Sequence, residues 1–199
     1  IIYGTAWKES QTAHLVSLAI KAGFKAFDTA NQRKHYVEAA VGDALSIAMQ
    51  TQDRSQFYIQ TKFTSINGQD HRLPYDKASD PHTQVITSFN SSLSHLKTTY
   101  VDAYLLHGPS SIQGLTDTDW QVYQAIETLY TEKKSRLIGV SNMTADQLSL
   151  LIDHATVPPH IVQNRCYANQ GWDLAVRALC KKHAIIYQGF SLLTANPYA

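Results

Sequence analysis

The chain has 199 residues, 44% of them hydrophobic and 10% aromatic, enough to bury one sizeable core and too few to make two domains the expectation. Its 17 Lys and Arg against 16 Asp and Glu gather into no long run of one sign, which excludes the electrostatic footprint of a nucleic-acid binder. No apolar stretch approaches the roughly eighteen residues that a membrane helix needs, and Cys166 and Cys180 are too far apart for a redox or zinc pair, so a soluble protein of a reducing, cytoplasmic compartment is expected.

Short apolar runs alternate with amphipathic helical segments, the order expected of parallel strands joined by crossover helices. Residues 1 to 5 read as a first strand ending at Gly4 and Thr5. Ser10 can cap a first helix carrying His14, Leu15, Leu18, Ala19 and Ala22, closed by Gly23. The second strand is Lys25 to Phe27. A helix follows with Val37, Val41 and Leu45 on one stripe and Ala40, Ala44 and Ala48 beside it. Phe57 to Ile59 is the third strand, and the stretch from 63 to 81, with Gly68, Pro74 and Pro81, is a long loop of the kind that borders active sites. The third helix carries Val85, Ile86, Phe89, Leu93 and Leu96, and the clearest strand, Tyr100 to Leu106, comes next. Helix four spans roughly Asp119 to Lys133, and Leu137 to Val140 is the fifth strand. Thr144 and Gln147 form a capping box ahead of Leu148, Leu151 and Ile152, and Pro158 and Pro159 stop that helix. Ile161 and Val162 give strand six, Trp172, Ala175, Val176 and Leu179 helix six, and Ala184 to Tyr187 strand seven.

The fold class expected is α/β, a parallel (β/α)8 barrel lacking its C-terminal part, in one barrel domain over residues 1–199 with seven strands visible and the eighth absent. A complete barrel takes about 250 residues, so the sequence reads as a piece, or the ordered part, of a longer chain.

Catalytic groups of such a barrel sit where strands end, because the strand C-termini converge on one mouth. Asp28 follows strand two, Lys62 strand three, His107 strand four, Ser141 and Asn142 strand five, Gln163 and Asn164 strand six, and Ser191 strand seven. An acid, a lysine and a histidine at three adjacent strand ends suit proton transfer beside a carbonyl. A lysine ammonium beside a tyrosine lowers the phenol from its ordinary pKa of about 10 toward a useful range, and Tyr36 is the available phenol. Asp28 would hold Lys62 by a charge-assisted hydrogen bond, while His107 would orient the substrate oxygen. No side chain supplies a hydride, so a reductase here implies a nicotinamide cofactor. His71, His82, His95, His154, His160 and His183 lack metal-ligand spacing, and no metal is expected. Tyr100 and Tyr104 read as packing residues, and Arg33, Lys34 and His35 as solvated loop.

The residues Gly23 to Ala30 (GFKAFDTA), Val41 to Leu45 (VGDAL), Ser92 to His107 (SLSHLKTTYVDAYLLH) and Ile138 to Asn142 (IGVSN) together resemble the aldo-keto reductase family along the whole chain. The resemblance implies reduction of an aldehyde or ketone by NADP(H) hydride transfer, with a small-molecule carbonyl substrate and neither nucleic acid nor membrane as partner. It implies a catalytic tetrad of Asp28, Tyr36, Lys62 and His107, with Tyr36 as general acid. Thr5, Asp28, Ser141, Asn142, Gln163, Phe190, Ser191 and Leu193 correspond to cofactor contacts, Phe190 as the ring that stacks on the nicotinamide. Trp7 and His107 correspond to substrate contacts. The family usually has its tyrosine five residues after the aspartate, where this chain has Arg33, so an insertion must bring Tyr36 back to the same point in space. The alternative reading is a non-catalytic NADP(H)-binding regulatory module on the same barrel.

Overall fold

The structure, a computed structural model, describes residues 1–191. Its strands are β1 (Tyr3–Gly4), β2 (Ala26–Asp28), β3 (Tyr58–Phe63), β4 (Val101–Leu106), β5 (Ser135–Ser141), β6 (Ile161–Arg165) and β7 (Ile186–Phe190). The helices between them are α1 (Thr12–Lys21), α2 (Glu38–Ala48), α3 (Pro81–Leu96), α4 (Asp117–Thr131), α5 (Ala145–His154) and α6 (Leu174–Lys182). Every strand pairs in parallel with the next along the chain, in one sheet ordered β1 to β7. The parallel α/β expectation is therefore met, while closure into an eight-stranded barrel is not seen among the described residues.

The sheet is strongly curled. Neighbouring strands lie about 4.8 Å apart, so a flat sheet would set β3 and β7 roughly 19 Å from one another. Instead Gln60 of β3 and Gln188 of β7 exchange side-chain hydrogen bonds of 2.9 and 3.0 Å across the concave face.

Alternation along the strands sorts side chains between two environments. The convex face meets the helices, and Phe27, Ile59, Phe63, Tyr104, Leu106, Ile138, Val140 and Val162 join Val16, Val41, Leu45, Val85, Phe89, Ile126 and Leu148 in one large apolar core. Among the described residues the concave face holds a small apolar cluster of Ala103, Leu105 and Ile161, flanked by Tyr58 and Leu137. Above it the same face turns polar.

Several local expectations need correction. Ser10 does not cap α1; it lies in a short 3-10 turn, Glu9–Gln11, and the helix starts at Thr12, whose hydroxyl donates to Glu9 O at 2.7 Å. The stripe that α1 buries is Thr12, Val16 and Ala19, with Leu18 exposed, because the helix packs beside α2 and into the main core at a rotation that the apolar residues alone left open. Gly23 does terminate α1, at φ +93°. Trp172 precedes α6 in a left-handed turn with Gly171 and Asp173, and α6 buries Val176 and Cys180. The Thr144 and Gln147 capping box is present, and α4 carries a second one from Thr116 and Asp119. Gly42 lets α2 and α3 touch: a Cβ there would lie 1.9 Å from His95 O.

Candidate active site

Strand register brings the predicted polar residues to one end of the curled sheet. Asp28 closes β2 and pairs with Gln60 of β3, while Ser141 at the end of β5 pairs with Gln163, which pairs in turn with Gln188. Lys62 and Gln163 do not follow their strands as the sequence suggested; both lie inside them. The reason is the concave polar face: a hydrophilic side chain there continues the strand instead of ending it.

Lys62 is 1% exposed, and its ammonium donates to both Asp28 oxygens at 2.7 Å and to Thr29 O at 2.8 Å. Burial is the largest single influence and pulls the Lys62 pKa down, but the Asp28 charge, Tyr36, the hydrogen bonds to Asp28, and Glu38 together outweigh it, and the net shift is upward. Lys62 therefore stays an ammonium at neutral pH, with no lone pair to act as a nucleophile. The Asp28 carboxylate also accepts from Gln60 Nε2 at 2.7 Å and Gln163 Nε2 at 3.2 Å.

Tyr36 reaches this pair despite its shifted position. The Lys62 Nζ lies 5.5 Å from the centroid of its ring, and the His107 ring meets it edge-on at 5.9 Å. The loop that carries Tyr36 there is built on Gln32, whose carbonyl accepts from the His35 and Tyr36 amides. The Gln32 side chain donates to Gly68 O at 2.6 Å and accepts from His35 Nδ1 at 3.0 Å. Arg72 donates to Arg33 O at 2.9 Å, and the Trp7 amide to His35 O at 2.8 Å, so the insertion is tied to the loops on both sides. His35 is thus a structured residue of the mouth, not free loop. Its ring lies 3.9 Å from that of Trp7, which is 69% exposed and has a left-handed backbone.

Burial raises the Tyr36 pKa; Lys62 lowers it and Asp28 raises it further, and the net direction is upward. The lowering expected from the lysine is outweighed, because the phenolate would be desolvated. His107, just past β4, is pushed down to about 3, first by burial, then by the charges of Lys62 and His35, so its ring is neutral at physiological pH. Its Nδ1 lies 2.6 Å from Thr64 Oγ1.

The residues matched to cofactor contacts are partly brought together. Ser141 Oγ donates to Gln163 O at 2.6 Å, and Asn142 Nδ2 donates to His107 O at 2.8 Å and Ser141 Oγ at 3.2 Å. The Asn142 and Gln163 side-chain amides are engaged through their NH2 groups, and among the described residues no donor meets either amide oxygen, which suits the NH2 group of a carboxamide. Phe190 sits two residues beyond Gln188 on the same side of β7, half-buried, with the Arg165 guanidinium 5.4 Å from its centroid. Ser191 follows with φ +59°. Thr5 is fully buried, and its amide and hydroxyl both donate to Asp28 O, so its polar groups already serve the β1 to β2 junction. Leu193 lies outside the described residues.

Gln60, Gln188 and Thr64 were not singled out in the sequence. The signal was there for two of them: Gln60 and Thr64 stand two residues either side of Lys62, the alternation that puts side chains on one face.

The model of the aldo/keto reductase family matches residues 1–195. Morphine 6-dehydrogenase of Pseudomonas putida is 32% identical over 153 residues, covering 77% of this chain and 45% of that protein. D-galacturonate reductase of Fragaria ananassa is 30% identical over 194 residues, 89% of this chain and 56% of the relative. The chain thus spans about half the length of the curated relatives it matches. Among solved structures, an aldo/keto reductase from Brucella melitensis superposes with a TM-score of 0.78 at 27% identity, over 96% of this chain and 66% of that one. A Bombyx mori aldo-keto reductase in complex with NADP shares the fold, with a TM-score of 0.74 at 22% identity, over 96% of this chain and 62% of that one.

Proposed function

Because the chain belongs to the aldo/keto reductase family, we propose that it reduces an aldehyde or ketone to the alcohol with NADP(H), with Tyr36 as the general acid. The observation that carries this reading is the buried Asp28 and Lys62 pair with the Tyr36 ring 5.5 Å from the ammonium and His107 edge-on to that ring.

The cofactor class is supported by the acceptor oxygens left on Asn142 and Gln163, by the Phe190 ring on the same side of β7 as Gln188, and by the NADP complex of the Bombyx mori protein. Ser141, Asn142 and Gln163 would hold the carboxamide, Phe190 would stack on the nicotinamide ring, and Ser191 would lie beside the pyrophosphate. Bound there, the nicotinamide supplies the hydride that no side chain can.

The remaining chemistry belongs to the protein. Tyr36 keeps its proton at neutral pH, since its pKa is raised by burial beyond what Lys62 takes away, and a protonated phenol can donate to the nascent alkoxide. Once that proton leaves, the fixed ammonium of Lys62 faces the phenolate and stabilises it, and Asp28 keeps the ammonium in place. His107, being neutral, serves as a hydrogen-bond partner to the substrate oxygen instead of a second acid. Trp7 and His35 form an aromatic wall at the mouth, where the substrate would pass.

The test is Tyr36→Phe. Turnover of NADPH with a panel of aldehydes should fall by orders of magnitude while the Kd for NADPH stays nearly constant. A variant that keeps most of its turnover would show that another group is the acid. A wild-type protein that binds NADPH but oxidises it with no aldehyde would favour a binding module instead.

A further inference from the structure

We propose that Thr64 is a positioning residue for this reaction: its hydroxyl donates to Nδ1 of His107 and so puts the single imidazole proton on Nε2, the nitrogen left for the substrate oxygen. Thr64 is 4% exposed, and its Oγ1 lies 2.6 Å from Nδ1. A threonine hydroxyl has one proton to donate, and Nδ1 is the acceptor it meets among the described residues. The opposite arrangement, with Nδ1 donating to Oγ1, would leave the buried hydroxyl proton without an acceptor, which is the costlier state. A neutral imidazole carries its one proton on the other nitrogen when Nδ1 accepts, and His107 is held neutral by burial and by the charge of Lys62.

Both partners are fixed in place. The Thr64 carbonyl accepts from the Tyr75 hydroxyl at 2.7 Å and from Gln69 Nε2 at 3.3 Å. The Thr64 methyl lies against Gly68, 2.7 Å from where a Cβ on that glycine would stand. With the methyl lodged there, the hydroxyl is left to face His107. The His107 backbone donates to Phe63 O at 2.8 Å and accepts from Asn142 Nδ2 at 2.8 Å. The consequence drawn for catalysis, an N–H aimed at the carbonyl oxygen, rests on the reductase reading; the tautomer itself does not.

Two measurements on the chain test this separately. In the first, the imidazole nitrogens are isotope-labelled, and the His107 signals, assigned by their loss in His107→Asn, are read by NMR at neutral pH. Wild type and Thr64→Ser should show the Nε2–H tautomer with Nδ1 accepting a hydrogen bond, and Thr64→Val should shift the Nδ1 resonance toward its unbonded value. A wild-type Nδ1–H tautomer, or an Nδ1 resonance unmoved in Thr64→Val, overturns the proposal. In the second, Thr64→Val should lower kcat at least about tenfold with little change in NADPH affinity, and Thr64→Ser should restore it. Full activity in Thr64→Val overturns the positioning role. The expected spectra in a wild-type chain that reduces no aldehyde would support the tautomer and refute the reductase reading alone.

Discussion

Replacing Lys62 by Met tests the buried ion pair on which the rest of the site is built. Methionine keeps most of the apolar stem and removes the ammonium, so three hydrogen bonds of 2.7, 2.7 and 2.8 Å are lost, to the two Asp28 oxygens and Thr29 O. Removing one partner of a buried pair usually costs about 3–5 kcal/mol, since the other charge is left uncompensated. Here Gln60 and Gln163 still donate to Asp28 Oδ1, which places the expected loss near the lower figure, about 3 kcal/mol. For a chain of this size that corresponds to a fall in Tm of about 6–12 °C. The double variant Asp28→Asn with Lys62→Met removes the stranded charge and should recover most of the loss. Urea unfolding at neutral pH, followed by circular dichroism, measures all three proteins. A Lys62→Met loss below about 1 kcal/mol, or a double variant no more stable than the single one, would refute the argument that charge desolvation governs this site.

Other measurements address packing and titration. Gly42→Ala should destabilise by about 1–3 kcal/mol or more, because the new methyl would stand 1.9 Å from the backbone oxygen of His95 and force α2 and α3 apart; a stability equal to wild type would show that the helices separate freely. His107 offers a pH prediction whose sign follows from its folded pKa of about 3, well below the ordinary histidine value. As pH falls below about 6.5 the unfolded chain takes up a proton that the folded chain refuses, so stability drops. Between pH 7 and pH 5 wild type should lose about 2 kcal/mol more than His107→Gln. Parallel stability curves for the two would mean that the ring accepts its proton readily in the folded state.

Much of the architecture was legible because it is written locally. A stripe such as Val85, Phe89 and Leu96, or a run such as Val101 to Leu106, has few ways to bury itself. The alternation of such segments leads to a parallel sheet with helices on its convex side. Strand lengths were harder to read, since Gln60, Lys62 and Gln163 broke the apolar runs that mark a strand. The start of α1 was misread for a related reason: Ser10 has the chemistry of a cap, but Thr12 is the residue that the fold buries.

Sequence by itself determined the order of the strands, the helices between them, and the placing of Asp28, Lys62, His107, Ser141 and Gln163 toward one end of the sheet. Only the tertiary structure decided that Tyr36 reaches Lys62 from its displaced position, that Gln60 meets Gln188 across 128 residues of chain, and that Thr64 bonds His107. It also decided the balance of forces on Tyr36, where desolvation outweighs the neighbouring ammonium. The division has one cause. Periodicity is a property of neighbours along the chain, whereas hydrogen bonds across the concave face and the cost of burying a charge depend on how far the sheet curls and how the loops are tied down.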